Sequence, residues 1–335
     1  MNEERPYIEK EVVTVVREYN PAYGDDRICV CGHVYYRHFD TYEEMEACGC
    51  KYCGCFDFKE LTNRTRWILE ENVFSEKCFD EMIVVLEKKA IPYARIKVIP
   101  FVHEIDGRKP PKYDGPTVVY GSLGVQKVAD KEGWVPGVFG SEENFRMDVY
   151  RDKLGDLFLN ADLEYMMISD VEHYMTLTGM ERIFIKPRGD MKEFAGIVLD
   201  RSHFSDWYEN MKSIGYLDGN DFEVVVCEPK SLGCEWRLVV VDGSIVASSL
   251  YRQYQQVMAE EHWHRPVNDV VYEAMEKFQP APVYIIDVAQ YGDEYKVIEY
   301  NTFNSAGFYD CNVEAIIDAV STYVHKQHYE ENSND

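Results

Sequence analysis

Charged side chains set inside apolar, β-prone runs are the part of this sequence that could do chemistry. Asp287 stands within Tyr284-Ile285-Ile286-Asp287-Val288-Ala289, and Glu299 and Asn301 stand within Val297-Ile298-Glu299-Tyr300-Asn301. A carboxylate in such surroundings suffers desolvation unless a cation compensates it. Glu299 and Asn301 are two apart, so on a strand they share a face. Three oxygen donors from two adjacent strands suit magnesium, a hard divalent ion that keeps waters and bridges substrate phosphates. Cations that could face such a site also lie at strand ends. Lys186 closes Ile183-Phe184-Ile185-Lys186-Pro187, placed to set an ammonium near nucleotide phosphates or an acyl phosphate. Lys192 follows in a glycine-containing loop, residues 189–196, able to cover phosphates as a flap. Glu228 closes Val224-Val225-Val226-Cys227-Glu228 before a proline, Glu235 and Arg237 share one strand face, and Arg252 ends the next strand. Taken singly, a strand-end lysine is more often solvated, and Glu235 with Arg237 could be a surface pair worth about 0–1 kcal/mol. The combination is what points to a nucleotide and a metal.

A second constellation is the cysteines, six of whose ten members lie between residues 29 and 55. Close-spaced thiols in a chain with no export signal suit tetrahedral zinc better than disulfides. Cys29, Cys31, Cys50 and Cys53 form the cleanest CxC…CxxC set, with His33, His38, Cys48 and Cys55 as alternatives. A segment this short cannot fold on its own apolar area, so the metal would supply its stability. The run is similar to small zinc-binding modules that read C-x-C-G-H-x4-H…C-x2-C-x-C-x2-F, matched here through Phe58. It is expected to stabilise the fold or dock a protein; its aspartates and glutamates make nucleic acid an unfavourable partner.

The elements that must position these groups alternate. A β-prone stretch at residues 11–16 precedes the cysteines. From Arg66 the pattern predicts a short strand at Trp67-Ile68-Leu69, a helix over 76–90, a strand over 94–101 and another at Thr117-Val118-Val119-Tyr120, ended by Gly121-Ser122-Leu123-Gly124. Such a glycine-bounded turn sits where open sheets bind ligands, although a plain tight turn fits it equally. Residues 145–180 read as polar helix, with Met166-Met167 as helical core material and a linker at 159–161. A β-rich block follows, at 182–187, 222–228, 236–241, 244–251, 283–288 and 295–300, with Asp242-Gly243 as a hairpin turn. His262 and His264 read as a solvated helix face. Residues 312–323 have helical spacing, and 329–335 form a polar tail.

The chain has 335 residues and a net charge of −25, room for about two domains and a poor match to a polyphosphate surface. No uncharged apolar run nears the ~18 residues a bilayer crossing needs. The start, Met1-Asn2-Glu3-Glu4-Arg5, lacks a signal-peptide core, so a cytoplasmic protein without membrane partners is expected. P-loop, GxSxG and HExxH patterns are all missing from the sequence.

The strings IFIKPRGDMKEFAG, VVVCEPKSLGCEWRLVVVDGSIVASSLYRQ, VYIIDVA and VIEYNTFNSAGFY resemble, in that order, the ATP-grasp superfamily, and in particular its compact members encoded by bacteriophages and some bacteria. The resemblance covers about residues 66–325. It implies an α/β (α+β) chain with a small open α/β domain over 61–160 and the ATP-grasp domain over 161–328; the N-terminal strand and zinc module over 1–60 is an addition to it, and 329–335 is a tail. It further implies that Lys186 and Lys192 contact ATP phosphates and that Glu228 lies at the adenine hinge. Arg237 and Arg252 would meet the γ-phosphate or an acyl phosphate. Asp287, Glu299 and Asn301 would hold magnesium, while Asn304 and Ser305 would face the acceptor. The loop bearing Lys192 is shorter and less glycine-rich than in many ligases of the superfamily. The activity implied is ATP- and Mg-dependent joining of a carboxylate to an amine through an acyl phosphate, with a peptide or protein among the candidate substrates. A kinase on the same fold and a catalytically idle zinc-bearing binding module are the alternatives, and the location implied is the cytoplasm, the host's if the chain is phage-encoded.

Overall fold

The structure, a computed structural model, describes residues 38, 49–50, 65–71, 77–99, 102–188, 194–213, 221–254 and 256–332. The chain divides into two compact units, Met1–Asn63 and Arg64–Asp335. In the first, His38 and Cys50 are buried. The other expected zinc ligands, Cys29, Cys31 and Cys53, lie outside the described residues.

The second unit begins with a parallel sheet. Its strands are β1 (Arg66–Glu70), β2 (Tyr93–Ile96), β5 (Thr117–Tyr120) and β6 (Pro136–Gly137), in the order β2-β1-β5-β6, with a two-residue hairpin of β3 (Val98–Ile99) and β4 (Glu104–Ile105) beside it. Every residue of β1 and β5 is buried, as expected of parallel strands covered on both faces. Helix α1 (Lys77–Lys88) places Phe79, Met82 and Leu86 on the Trp67–Leu69 side, and α2 (Gly124–Glu132) places Val125, Val128 and Ala129 on the Ile68–Val119 side.

After α3 (Met147–Leu154), an antiparallel sheet forms from β7 (Glu164–Met167), β8 (Arg182–Pro187), β9 (Ile197–Asp200) and β10 (Glu223–Cys227), in the order β7-β10-β8-β9. Alternation along β8 sends Ile183 and Ile185 onto α4 (Val171–Thr178) and α5 (Arg201–Ser213), where they meet Val171, Met175 and Phe204. Arg182, Phe184 and Lys186 therefore occupy the opposite face.

The third sheet is antiparallel and five-stranded: β11 (Cys234–Val241), β12 (Ser244–Gln253), β13 (Gln256–Glu261), β14 (Val283–Tyr291) and β15 (Glu294–Thr302), ordered β13-β12-β11-β14-β15. Asp242 (φ 49°) and Gly243 (φ 70°) make the tight turn between β11 and β12, the pair of positive φ values that suits right-twisted hairpins. Helix α6 (Arg265–Lys277) packs on β14 and β15, and α7 (Val313–Asn332) packs on β11, β12 and α1. Among the described residues no helix is long and apolar enough to cross a membrane.

Several expectations need correction. Residues 145–180 are not continuous helix: Met166 and Met167 lie on β7, paired with Val224 and Glu223. Tertiary pairing with β10 overrides a local pattern too short to resolve. The supposed linker is pinned, because Leu159 N–H donates to the Val297 carbonyl (2.9 Å) and Leu159 and Asn160 are buried. His262 and His264 are not on a helix. They follow β13 outside any helix, His264 in extended backbone, and the His264 ring stacks on Trp236 at 5.3 Å. Helix α7 continues to Asn332, into the segment read as a tail.

Candidate functional site

A single row of residues crosses the five-stranded sheet. Glu261 on β13 stands opposite Ser249, Ser249 opposite Arg237, Arg237 opposite Asp287 and Asp287 opposite Glu299. Residues directly opposite in antiparallel strands point to the same face, so charges separated by tens of residues in sequence converge. Arg237 forks onto Asp287 with Nε to Oδ1 at 2.9 Å and Nη2 to Oδ2 at 2.7 Å, and its Nη1 donates to the Gly307 carbonyl at 2.8 Å. Asn301 Nδ2 donates to Glu299 Oε1 (3.1 Å) and Asp287 Oδ2 (3.3 Å). Lys186, from the other antiparallel sheet, donates its ammonium to Glu299 Oε2. The face of β8 opposite its helices thus meets the charged face of β14 and β15.

Burial sets the electrostatics. Arg237 and Asp287 are 9% and 1% exposed, so breaking their pair would strand a charge at about 3–5 kcal/mol. Burial opposes the Arg237 charge, but Asp287 more than compensates and raises its pKa. Burial pushes the Asp287 carboxyl up; Arg237 opposes this and the nearby Glu299 and Glu235 add to it. For Glu299 burial would raise the pKa, yet Lys186, the Asn301 amide and Arg237 together bring it down to about 2.

Beside this network lies a cleft of about 390 Å³, walled by Leu159, Phe184, Leu232 and Ile298 with Glu228 and Lys230 at its rim. Its apolar walls and few polar groups have the make-up of a small-molecule site. Lys230 Nζ reaches Asp162 (2.6 Å) and the Glu228 carbonyl (3.4 Å). Glu235, 5% exposed, accepts from Tyr251 (2.8 Å) and from Arg252 (3.2 Å). The Tyr251 ring stacks on Tyr309 at 4.7 Å, and Tyr309 covers the Arg237 guanidinium at 4.8 Å. Tyr309 holds a left-handed backbone, φ 52°, a strained conformation of the kind that collects at functional sites.

The structure therefore brings together Lys186, Arg237, Asp287, Glu299 and Asn301 in one network. It places Arg252 and Glu228 on the neighbouring cleft. Asn304 stands apart, on the short turn after β15: its carbonyl accepts from Gly121 N–H (2.8 Å), and its buried Nδ2 has no partner among the described residues. Gly121 belongs to the glycine-bounded turn, where an added Cβ would lie 2.5 Å from Glu70 Cβ. Ser305 is bonded to Thr302 at 2.6 Å. Lys192 lies outside the described residues. Tyr251, Tyr309, Phe184 and Ile298 escape sequence reasoning. For Phe184 a signal exists, since it sits two residues before Lys186 on the same strand.

The donor set can be tested against magnesium. Among the described residues no three His, Cys, Asp or Glu side chains gather to hold a metal unaided. Two carboxylates and an amide beside the cleft fit an ion that is bound by one or two carboxylates plus phosphate oxygens.

This arrangement, two antiparallel sheets closing on a nucleotide-sized cleft after a small parallel domain, is an ATP-grasp fold. Residues 98–320 match the model of an ATP-grasp domain family, the third family of its clade, and the chain belongs to it. No curated protein matches in sequence. Among solved structures, the D-alanine–D-alanine ligase from Bacillus anthracis aligns over 80% of this chain and 99% of its own at 13% identity, TM-score 0.54. The same ligase complexed with ATP aligns over 80% and 99% at 14% identity, TM-score 0.53. The ATP-grasp ligase PsnB complexed with precursor peptide PsnA2 and AMPPNP aligns over 78% and 98% at 13% identity, TM-score 0.46.

Proposed function

We propose that the chain is an ATP- and Mg-dependent ligase joining a carboxylate to an amine. The observation that carries this reading is the Lys186–Glu299–Asn301–Asp287–Arg237 network beside an apolar cleft. Phe184, Leu232 and Ile298 would sandwich the adenine, with Glu228 and its backbone neighbours as hinge. Lys186, with Lys192 from its loop, would hold the phosphates. Asp287, Glu299 and Asn301 would hold magnesium, which when bound neutralises β- and γ-phosphate charge and aligns the transferring group. Phosphoryl transfer asks mostly for positioning and charge neutralisation, so no general base is assigned.

In the first step a substrate carboxylate oxygen attacks the γ-phosphorus and the bond to the β-phosphate oxygen breaks, giving an acyl phosphate and ADP. Arg237, whose charge is kept by Asp287, would stabilise the transferring group, and Arg252 would assist from the cleft rim. In the second step an amine nitrogen attacks the acyl carbon, phosphate leaves, and the amine proton passes to solvent. Asn304 and Ser305, beyond the metal strand, would face that acceptor. Zinc on Cys29, Cys31, Cys50 and Cys53 is a separate part of the proposal, supported by their spacing and checked by metal content of the purified chain.

The test is isotopic. With 18O-labelled carboxylate, a ligase transfers one label to inorganic phosphate as an amide forms and ADP appears. A phosphorylated acceptor with no amide would replace ligation by kinase action. Absence of Mg-dependent ATP binding would end both.

A further inference from the structure

Beyond the reaction centre, the charged row runs out to the sheet margin at β13. That strand pairs with β12 on one side, and among the described residues no strand pairs with the other. Large apolar side chains are exposed along it: Val257 is 76% exposed, Tyr254 68% and Trp263, just past its end, 49%. Natural edges are blunted with charges, lysine above all, with proline or with bulges; β13 reads Gln-Val-Met-Ala-Glu-Glu, has no lysine or proline, and carries its charges only at its C-terminal end. Its charges are Glu260 and Glu261, both exposed, and among the described residues neither has a cationic partner. Glu261 accepts only a long contact from the Trp263 indole, 3.4 Å.

We propose that the outer edge of β13 binds an extended, basic peptide as an added strand, and so delivers the amine-bearing substrate to the site. The identity of the peptide as substrate rests on the ligase reading; its binding does not. Strand addition draws affinity from main-chain hydrogen bonds and specificity from alternate side chains. Here Val257 and Trp263 offer apolar contact, and Glu260 and Glu261 select lysine or arginine. The register connects edge to chemistry: Val257 stands opposite Arg252, and Glu261 lies in the row that ends on Arg237, Asp287 and Glu299. At about 4.8 Å between strands, a peptide on the edge runs roughly 14 Å from the Arg237 backbone. About five extended residues beyond the edge, at roughly 3.3 Å each, cover that distance.

The test uses the full chain and an eight-residue peptide alternating threonine or valine with lysine, labelled for fluorescence anisotropy, and a counterpart with glutamate for lysine. The lysine peptide is expected to bind about tenfold or more tightly than the glutamate peptide, and the Glu260→Lys/Glu261→Lys variant to lose that preference. Amides of residues 256–261 should gain hydrogen-exchange protection on peptide addition, while MgATP affinity of the variant stays unchanged. Equal binding of the two peptides, protection elsewhere, or dimerisation of the chain abolished by Val257→Lys would each overturn the proposal. MgATP binding, read separately, reports on the ligase assignment alone.

Discussion

Replacing Lys186 by methionine isolates an ion pair that bridges the two antiparallel sheets. In the native chain the ammonium is paired with Glu299 and helps hold its carboxyl at about 2, against an ordinary 4.5. Without Lys186, burial, already the largest single influence on Glu299, is opposed chiefly by the Asn301 amide at 3.1 Å and by Arg237. The expected cost at neutral pH is about 2–3 kcal/mol, or roughly 5–10 °C in melting temperature for a unit this size. Differential scanning calorimetry at pH 7 measures it. Lys186→Met combined with Glu299→Gln should recover more than half the loss, because the neutral amide no longer needs a counter-charge. A Lys186→Met protein that melts within about 1 °C of the native one, or a double variant no better than the single, would refute the reasoning. Saturating MgATP, which should add about 3 kcal/mol to the native chain at a hundred times its Kd, should add little to Lys186→Met.

The same depressed carboxyl sets an acid limit. A folded pKa near 2 for Glu299 means its contribution is complete above the unfolded value and is lost as pH falls from about 4.5 toward 2; Glu299→Gln should flatten the melting-temperature profile in that window. Ile298→Ala strips one wall of the cleft and should weaken ATP binding about three- to tenfold, read by calorimetric titration, with little change in melting temperature without nucleotide. Gly121→Ala forces a Cβ to 2.5 Å from Glu70 and should cost about 1–3 kcal/mol in denaturant unfolding.

The site was legible where a charge sits in an apolar run. Asp287 and Glu299 declare themselves because their apolar neighbours would otherwise exclude them, and alternation then fixes which residues share a face, as with Glu235 and Arg237. Which strand lies beside which was not legible in that way. Short strands such as Glu-Tyr-Met-Met of β7 and Gln-Val-Met-Ala-Glu-Glu of β13 are brief and rich in Met, Ala and Glu rather than β-branched residues, so local pattern reads them as helix or loop and pairing with β10 and β12 makes them strands. Glu261 is an ordinary acid in sequence; its place in the row with Arg237 exists only once two intervening registers are known. The partner of Lys186, 113 residues away, is likewise a product of two sheets meeting.

The deepest limit on reading this site comes from two bulges. Strict alternation would send Ile298 and Glu299 to opposite faces, and likewise Tyr251 and Arg252. Registers slip between Asp287 and Val288 and between Glu235 and Trp236, leaving Ile298 and Tyr251 as extra residues in their strands. A bulge lets consecutive side chains serve one side of the sheet. Tyr251 and Arg252 accordingly reach the two oxygens of the same carboxylate, Oε2 and Oε1 of Glu235. Ile298 lines the cleft while its neighbour Glu299 receives Lys186. An apolar wall for a base and a carboxylate for a metal must stand side by side in such a site, and a regular strand cannot supply them from adjacent positions. Deleting Ile298 should therefore close the register with Glu299 still opposite Asp287 and its ion pair to Lys186 kept, so that only the apolar wall is lost and nucleotide binding falls about as far as on truncating the side chain.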